Sequence, residues 1–552
     1  MLLSTTALLL QLAAPAAAHD GRLLREARTA QVRFESIRRM RLPRDWSGAF
    51  SSNGRCQARI GRFCYWYDST ESARLPDSKE IVEARAKLLA FLESASEQNP
   101  EDGWLAGQRT RYLIEAGRLD DAVSAARTCR AERWWCAALE GLALHSGEHY
   151  AAADSVYTLA LSEMPEAQRC EWLDVRLLVS EPLKRELDRA GCAERARLAD
   201  RLWTLSQPLW STRGNDLRTE HFARLTMAAI LPKSANAHGM TWGDDNRELL
   251  LRYGWAEWFT RYESGYSAFA SPTITGHDRE PSYFFFPDIP SLRVTPRLST
   301  DAWTLRDPIA RTQYAPRHIK GLVPLTHVLA RFPRGDSMLV AVAFQIDDTA
   351  LARDSTTAYL ANLHDDELRL AESRNGGGPI SMLVPNDTTI VSIEVRGAAT
   401  KRAARARYTV DPLPRVNGRS LSDLLLFDPL KAQAESDENA ALSQAFTSER
   451  ISARQPLGVF WELSAPASAQ PEWMSLAIEP IHVGLARRLA ARLHLAREPA
   501  SVRLRWQAVV QTSQSVTLRL PATARGRYRV GLTVEPSEGP PLVSSREIEV
   551  DR

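Results

Sequence analysis

The sequence has no cysteine after Cys192: all six cysteines lie between Cys56 and Cys192, and the last 360 residues contain none. It also has no Cys-x-x-Cys pair, the strongest signal of a zinc ribbon or a thioredoxin-like site. No later stretch approaches the roughly 20 apolar residues that span a bilayer. An excess of one charge is missing too, because 70 basic and 67 acidic residues give a net charge of +3. The composition therefore argues against nucleic acid or an anionic membrane as a partner.

What is present is ordinary for a folded protein. The 552 residues are 44% hydrophobic and 25% charged, which excludes a mostly disordered chain. At roughly 150 residues per domain, this length predicts three or four domains.

The first 18 residues have the pattern of a secretory signal peptide. A short apolar run ends in Ala16-Ala17-Ala18, and these small residues fit cleavage before His19. The positively charged start of such peptides is absent, and the alternative interpretation is a buried first helix. We expect an exported protein, periplasmic or extracellular, with no transmembrane segment in its mature chain.

An exported chain with an even number of clustered cysteines is expected to form disulfide bonds rather than a metal or redox site. Six cysteines can pair in several ways. Their local spacing favours the pairs Cys56–Cys64, Cys129–Cys136 and Cys170–Cys192.

Helical periodicity extends from about residue 78 to residue 206. Within it, Trp104–Ala126 and Trp134–Pro165 resemble each other: each opens on a large aromatic residue, turns at a glycine and continues with small alanines. This is similar to tetratricopeptide helix pairs. The turn glycines, Gly117 and Gly147, are 30 positions apart, whereas that family repeats at about 34.

The run His145-Ser-Gly-Glu-His149 matches the H-x-x-E-H pattern of a class of zinc proteases. That chemistry needs both imidazoles on one face of a continuous helix, but Gly147 lies where the repeat turns. A polar turn between two helices is the favoured interpretation, so no metal ligand and no catalytic residue is predicted here.

Alternating apolar and polar residues dominate from residue 318 onward, which predicts short antiparallel strands. The first predicted set is Ser337–Ile346, Thr356–Leu363, Leu368–Ala371, Ser381–Val384, Thr388–Val395 and Ala403–Val410. The second predicted set is Leu457–Leu463, Met474–Ile478, Ser501–Val510, Ser515–Leu520, Arg527–Val534 and Ser545–Val550. Six strands at this spacing are typical of an immunoglobulin-like sandwich.

The predicted fold class is therefore a multidomain α + β protein, with an α-helical, tetratricopeptide-like N-terminal half followed by two antiparallel immunoglobulin-like β-sandwich domains. The predicted regions are a signal peptide (1–18), an N-terminal helix and disulfide loop (19–77), a tetratricopeptide-like helical region (78–200), a Trp-rich helical region with a Pro-rich connector (201–317), a first sandwich (318–412), a connector (413–455) and a second sandwich (456–552).

The most unusual composition lies between Leu209 and Trp258. A possible ligand or interface cluster in this segment comprises Trp210, Arg218, Glu220, Arg224, Trp242, Asp244, Asp245 and Arg252. The two adjacent aspartates suit the first turn of a helix, and Gly254 suits its end. Either these residues form a buried Arg–carboxylate network that locks the two halves of the chain together, which we favour, or they line a ligand groove.

Several motifs in this segment resemble the GWxTD-domain proteins. They are Trp-x-x-Arg from Trp210, Asn-x-x-x-x-Glu-His-x-x-Arg from Asn215, and Trp-Gly-Asp-Asp from Trp242 before Glu-Leu-x-Leu-Arg-Tyr-Gly. Further similarities are Tyr314-Ala-Pro316, Arg331-Phe-Pro-Arg-Gly-Asp-Ser337 and Gly458-Val-Phe-Trp-Glu462. The name-giving motif differs, since Gly239-Met-Thr-Trp-Gly-Asp244 stands where Gly-Trp-x-Thr-Asp is expected. The resemblance implies an exported bacterial protein with helical repeats before this region and sandwiches after it, and no established activity.

The functional expectation is a non-enzymatic scaffold for protein partners in the cell envelope, without a cofactor or a metal. Whether the chain is an enzyme is left open by the sequence. The alternative is an envelope hydrolase with its site near Trp242 and Asp244, beside the aromatic loop Tyr283–Phe286.

Overall fold

The structure is a computed structural model. It describes residues 6–44, 58–65, 75–262, 273–277, 311–314, 316–373, 378–430, 438–465, 471–481, 501–509, 512–520 and 524–551, with side chains from residue 21. The described residues up to Lys320 form one compact unit, the helical unit, and those from Gly321 form a second, the sheet unit. Cys56, the loop Tyr283–Phe286 and most of the Pro-rich connector lie outside the described residues.

The N-terminal half is helical and the C-terminal half is rich in β-sheet, as the sequence predicts. The helices of the helical unit are α1 (Thr6–Arg41), α2 (Lys79–Gln98), α3 (Gly103–Glu115), α4 (Leu119–Arg127), α5 (Arg133–Ser146), α6 (Tyr150–Glu163), α7 (Glu166–Trp172), α8 (Glu181–Arg189), α9 (Cys192–Ser206), α10 (Asp216–Ile230) and α11 (Asp244–Tyr253). Its strands are β1 (Ala58–Ile60), β2 (Phe63–Tyr65), β3 (Trp258–Tyr262) and β4 (Thr273–His277). None of the described helices combines the length and the apolar character needed to cross a bilayer.

Three helices of this unit begin at side chains that satisfy otherwise unbonded backbone N–H groups. Ser78 accepts a hydrogen bond from the N–H of Ile81, and Asp102 accepts one from Leu105. Asn215 does the same for Arg218 at the start of α10. Such caps place each helix where the apolar periodicity begins.

The four helices α3 to α6 form two consecutive helix hairpins. Gly117 makes the first turn with a positive φ of 72°. In the second hairpin, a Cβ atom on Gly141 would lie only 2.7 Å from the ring of Tyr157, which is fully buried. Small residues therefore let the paired helices approach closely, as the sequence pattern predicts.

The Trp-rich region within residues 201–317, expected to be helical, also contains strands. Residues Trp258–Tyr262 form β3, which pairs antiparallel with β4. Gly254, at φ 92°, ends α11 and turns the chain away from the helix axis. The residues that follow are aromatic or β-branched at several positions, and they gain a strand partner that a local pattern does not reveal.

Two of the three predicted disulfide bonds are present among the described residues. Cys129 bonds to Cys136, so the segment after α4 is tied to α5, and Cys170 in α7 bonds to Cys192 at the start of α9. Cys64 also belongs to a disulfide. Because Cys56 lies outside the described residues, the pair Cys56–Cys64 stays a prediction.

The sheet unit begins with a three-stranded and a five-stranded sheet. The strands are β5 (Gly321–Pro324), β6 (Thr326–Arg334), β7 (Ser337–Gln345), β8 (Thr356–His364), β9 (Glu367–Ser373), β10 (Ile380–Pro385), β11 (Thr389–Gly397) and β12 (Arg402–Val410), with the short helix α12 (Thr349–Ala352) after β7. The orders are β10-β7-β6 and β5-β12-β11-β8-β9. The two sheets share one buried cluster, to which Val342, Leu360 and Ile393 belong. We call them the first sheet pair.

A second sheet pair follows. Its elements are β13 (Ser420–Leu421), β14 (Leu425–Phe427), the helix α13 (Glu438–Ser443), β15 (Arg450–Ser452), β16 (Pro456–Ser464), β17 (Pro471–Pro480), β18 (Val502–Val509), β19 (Ser513–Arg519), β20 (Gly526–Glu535) and β21 (Leu542–Asp551). Strand β16 pairs with β13 and β14 along one edge and with β19 along the other. The facing sheet has the order β15-β21-β20-β17-β18.

The predicted strands correspond to β7–β12 and β16–β21. The segment expected to be a connector, residues 413–455, instead supplies β13, β14 and β15 to the second sheet pair. These strands have only two or three residues each. That length is too short for an alternating pattern to reveal, and they form because longer strands offer them an edge.

The two sheet pairs share a further core, which we call the joint. Its buried residues are Ala330, Phe332, Ala341, Leu425, Phe427, Ala441, Leu442 and Phe460. Along β7, Val340 and Val342 face the core of the first sheet pair, whereas Ala341 faces the joint. Both faces of β7 are therefore buried, which explains its nearly unbroken apolar run.

Ion pairs surround the joint. Arg331 holds Asp423 through two parallel hydrogen bonds of 2.8 Å, and Arg334 pairs with both Glu438 and Glu462. Arg546 of β21 donates a hydrogen bond to the backbone carbonyl of Leu329 in β6. The two sheet pairs therefore pack against each other as one body and are not separate domains joined only by a connector.

Candidate functional site

The predicted cluster centres on α10 and α11, and its best-connected member is Arg224. Its Nε donates to Glu220 at 2.6 Å, while Nη1 donates to the carbonyl oxygens of Leu251 and Arg252, both at 3.1 Å. Its Nη2 donates to the carbonyl of Gln313 at 3.0 Å. One buried guanidinium therefore satisfies the C-terminal carbonyls of α11 and ties that helix to α10.

Glu220 also bonds His145 of α5, with 2.7 Å between His145 Nε2 and the carboxylate. Burial on its own would raise the pKa of Glu220, but Arg224 and His145 outweigh it and hold the pKa well below its usual range. The carboxylate is therefore ionised and accepts from both neighbours. A buried charge held in this way links three helical elements.

The other ring nitrogen of His145, Nδ1, lies 2.9 Å from the hydroxyl of Thr219. Carboxylate, imidazole and hydroxyl thus stand in the order used for nucleophilic catalysis. The side chain of Thr219 is completely buried, however, and its hydroxyl also lies within hydrogen-bond distance of the carbonyl of Asp216, at 3.1 Å. An attacking hydroxyl must reach a substrate, so this geometry serves packing rather than catalysis.

Arg218 lies on another side of α10, and Trp210 lies in the turn between α9 and α10. Arg218 pairs with Asp154 of α6 and stands 4.9 Å from the ring centroid of Phe222. Trp210 is buried, and its indole N–H donates to the carbonyl of Thr204 at 2.8 Å. Both side chains join helices to one another.

At the N-terminus of α11, Asp245 receives a charge-assisted contact from the hairpin of β1 and β2. Arg62 donates to both carboxylate oxygens, at 2.7 and 2.8 Å. These hydrogen bonds hold the pKa of Asp245 well below its usual range. Gly61 lies so close that a Cβ atom there would fall 2.5 Å from the Cβ of Asp245.

Trp242 and Asp244 flank this contact. Trp242 is half-buried against the helical core, and Asp244 is exposed in the first turn of α11. At the other end, Arg252 donates to Glu248 at 2.9 Å and to the carbonyl of Arg311 at 2.7 Å. The structure thus places the two aspartates and Gly254 at the helix ends, as predicted from the sequence.

The eight predicted residues do not converge on one point. Ten residues of helix span about 15 Å, so the group around Arg224 and the group around Trp242 lie at opposite ends of α11. Glu220, Asp245 and Glu248 are each ion-paired to an arginine. In this arrangement, the cluster joins helices within the helical unit, and these three carboxylates are held in ion pairs.

The structure brings together other residues that sequence reasoning did not connect. The hydroxyl of Tyr314 donates to Asp216 at 2.9 Å, and His318 Nε2 lies 3.9 Å from the same carboxylate. Burial, followed by the charge of Asp216, raises the pKa of both Tyr314 and Tyr150 well above the usual value. In the sequence, Tyr314 stands out only as part of a family motif. It lies 98 positions from Asp216, so no local pattern predicts this contact.

The run from His145 to His149 forms a turn. Helix α5 ends at Ser146, Glu148 has a positive φ of 62°, and α6 begins at Tyr150. The two imidazoles therefore belong to different helices. Among the described side chains, no group of three or more His, Cys, Asp or Glu residues is placed to hold a metal ion.

No family model matches this chain, and no curated protein matches it. Among solved structures, it is similar to the crystal structure of chicken CNTN1 FN1-FN3 domains, with 11% identity over 42% of this chain and 69% of that chain. The TM-score is 0.14, so the similarity carries no argument about fold or function.

Proposed function

We propose that this chain is a non-enzymatic, exported protein that acts as a protein-interaction scaffold in the cell envelope. The observation that carries the proposal is the exposed face of α6, which has no charged side chain along most of its length. The exposed residues of α6 are Ala151, Ala152, Ser155, Thr158, Leu159, Ser162 and, at its C-terminal end, Glu163. Leu159 is 48% exposed at its centre. A small, uncharged helix surface of this kind is easily desolvated by a protein partner.

The face is also rigid, because α6 is held firmly from beneath. Ala153, Tyr157 and Ala160 are completely buried against neighbouring helices, and Asp154 pairs with Arg218 of α10. A surface that is already ordered loses little conformational entropy on binding. By contrast, the exposed faces of α2 and α4 are charged, with Lys79, Glu80 and Glu83 on the first and Asp120, Asp121 and Arg127 on the second.

The same proposal includes the types of domain in the fold and the family of the chain. The hairpins α3–α4 and α5–α6, with small residues where the helices touch, support a tetratricopeptide-like region. Facing antiparallel sheets with one shared core support immunoglobulin-like sandwiches. Membership of the GWxTD-domain proteins rests on the sequence motifs, which also imply export. Disulfide bonds between Cys129 and Cys136 and between Cys170 and Cys192 support an oxidising compartment.

The alternative, a hydrolase with its site near Trp242 and Asp244, has less support. Asp245 is ion-paired, which leaves it a poor general acid, and the hydroxyl of Thr219 beside His145 is buried. The proposed partner is a protein, and the near-neutral charge argues against nucleic acid.

Site-specific photo-crosslinking tests the scaffold. A photoreactive residue replaces Leu159 in one full-length chain and Val82, a 52% exposed residue of α2, in a control chain. We expect a protein crosslinked at 159 and not at 82, competed by unlabelled chain. We also expect unlabelled chain with Leu159→Asp not to compete, because the interface would bury the new carboxylate without a partner. Unlabelled chain with Val82→Asp is expected to compete like the unchanged chain.

Two results would overturn the proposal. One is equal crosslinking at both positions, or none at either, in envelope fractions from cells that export the chain. The other is turnover of an ester or a glycoside that Asp244→Asn abolishes while the fold is retained, since this assigns the region around Trp242 to the hydrolase.

A further inference from the structure

Strand β18 is an open edge of the second sheet pair. It pairs along its full length with β17 and lies last in the order β15-β21-β20-β17-β18. No described residue outside β17 makes a backbone hydrogen bond to it. Among the described residues, one whole row of its N–H and C=O groups therefore has no backbone partner.

This edge has two charged residues, Arg503 and Arg505, but lacks the other features that usually protect a strand from pairing. Its eight residues, Val502–Val509, include no proline, glycine or lysine and form no bulge against β17. Two other edge strands of the sheet unit differ, since β5 ends in Pro324 and β15 has only three residues. Length and sequence make β18 suited to accept a strand.

The side chains of β18 divide into an apolar row and a polar row. The apolar row comprises Val502, Leu504, Trp506 and Ala508, and three of these, all except Leu504, pack partly against the core of the sheet pair. Leu504 remains 39% exposed, and the ring of Trp506 lies 6.2 Å from that of Trp461. A partner strand that extends the apolar row would continue the same core.

In the polar row, both arginines are already neutralised within their own sheet. Arg503 pairs with Glu479 at 2.5 Å and Arg505 with Glu535 at 2.8 Å. Their charges therefore oppose an approaching strand less than free arginines do. They still restrict which residue can stand directly opposite them, because like charges across a strand pair are destabilising.

We propose that β18 pairs antiparallel with β18 of a second copy of this chain, about a two-fold axis at Trp506. In an isologous antiparallel pair, only the residue on the axis faces its own symmetry mate, and a residue on one side of it faces the residue equally far along the other side, so a register is defined by its central residue. A register centred on Arg505 sets Arg505 against itself. The register centred on Trp506 sets Arg505 against Gln507, Arg503 against Val509 and Leu504 against Ala508.

The register centred on Trp506 joins the apolar rows without opposing two charges of the same sign. It brings the two Trp506 side chains together at the axis, and aromatic cross-strand pairs are among the more favourable ones. The two five-stranded sheets then become one continuous sheet. Because the contact involves one strand and its flanking side chains, the dimer is reversible and weaker than an obligate one.

Substitutions of Gln507, an exposed residue that faces Arg505 of the partner, test both the dimer and its register. Gln507→Arg creates two like-charge contacts across the axis, and Gln507→Glu creates two opposite-charge contacts. We expect the dissociation constant of the full chain to rise about fivefold for Gln507→Arg and to fall about fivefold for Gln507→Glu. Sedimentation equilibrium at low salt measures both.

The matched controls are Ser545→Arg and Ser545→Glu, on the exposed face of β21 in the same sheet but away from β18. Neither is expected to change the dissociation constant. Amide hydrogen exchange of unchanged chain is expected to slow in β18 as concentration rises, and only there among the edge strands.

Three outcomes would overturn the proposal. The first is a monomer at every concentration with an unchanged circular dichroism spectrum. The second is a dimer whose dissociation constant does not change with the charge at position 507. The third is protection from hydrogen exchange on another edge strand. An effect of equal sign for both Gln507 variants would exclude the register centred on Trp506.

Discussion

Phe332 and Phe460 meet edge to face inside the joint, with their ring centroids 5.9 Å apart. The first belongs to the run Arg331–Ser337 and the second to Gly458–Glu462. Arg334 and Glu462, in the same two runs, form an ion pair although 128 positions separate them. Two motifs that were quoted only as family similarities are therefore the two sides of one contact, which fixes the sheet pairs to each other.

The packing of the joint predicts that stability is unusually sensitive to substitution of Gly458. A Cβ atom there would lie 2.5 Å from the ring of Phe427, which is itself fully buried. We expect Gly458→Ala to lower the free energy of unfolding by about 1–3 kcal/mol, because the ring cannot move away in a packed core. Urea denaturation followed by tryptophan fluorescence measures this.

Gly531, in strand β20, is the matched control. A Cβ atom on Gly531 meets nothing within 4 Å, so Gly531→Ala is expected to leave stability unchanged or slightly higher. Equal losses for the two variants would show that the close approach at Gly458 has no energetic weight.

Glu220 is predicted to be a costly carboxylate to neutralise. Glu220→Gln leaves the buried guanidinium of Arg224 without its charged partner, and we expect a loss of about 3 kcal/mol or more. The control is Glu248→Gln, because Glu248 is 32% exposed and its pair with Arg252 is worth less than about 1 kcal/mol. Thermal unfolding of both variants separates a buried network from a surface pair, and similar losses would contradict the distinction.

His221 gives a pH dependence with a definite sign. Burial, followed by the charge of Arg224, lowers the pKa of His221 to about 3. The unfolded chain, with an ordinary histidine near 6.5, therefore binds a proton before the folded chain does. Its contribution to stability is complete above pH 6.5 and is lost as the pH falls towards 3.

Between pH 7 and pH 5, this one group is expected to cost the unchanged protein about 2 kcal/mol. The loss should be absent in His221→Asn and retained in His149→Asn, since His149 is exposed. Denaturation curves at several pH values provide the comparison. A pH slope that survives in His221→Asn would contradict the assignment.

The two disulfide bonds close loops of different length and should therefore stabilise the folded protein by different amounts. The cysteines are separated by 7 positions in Cys129–Cys136 and by 22 in Cys170–Cys192. From the entropy of loop closure, replacing both cysteines by serine should cost about 2.5 kcal/mol for the first pair and about 3.4 kcal/mol for the second. Mass mapping without reductant should show both links, and a free Cys129 or Cys170 would contradict them.

Export is testable independently of the fold. A reporter fused after Asp20 is expected to leave the cytoplasm, with cleavage before His19 established by N-terminal sequencing. Replacing Ala16 and Ala18 by bulky residues should block cleavage, because signal peptidase requires small side chains there. Cytoplasmic retention of the unaltered fusion would refute the signal peptide.

Part of the candidate site follows from local chemistry alone. Asp244 and Asp245 at the start of α11 and Gly254 at its end obey the preferences of helix termini, so the sequence places them correctly. That Asp245 meets Arg62, 183 positions earlier, does not follow from any such preference. Nor does the contact between Tyr314 and Asp216, which only the packing of distant segments creates.

What the sequence by itself determined is the type and approximate position of most elements. The alternation along β20 and the helical period of α2 express the repeat of the backbone itself, and local spacing correctly named two disulfide pairs. Only the tertiary structure decided that β13, β14 and β15 are strands, that β7 is buried on both faces and that the sheet pairs share a joint. The physical reason is that local periodicity reports which face of an element is apolar, whereas the partner that covers this face lies far along the chain and is chosen by shape and charge.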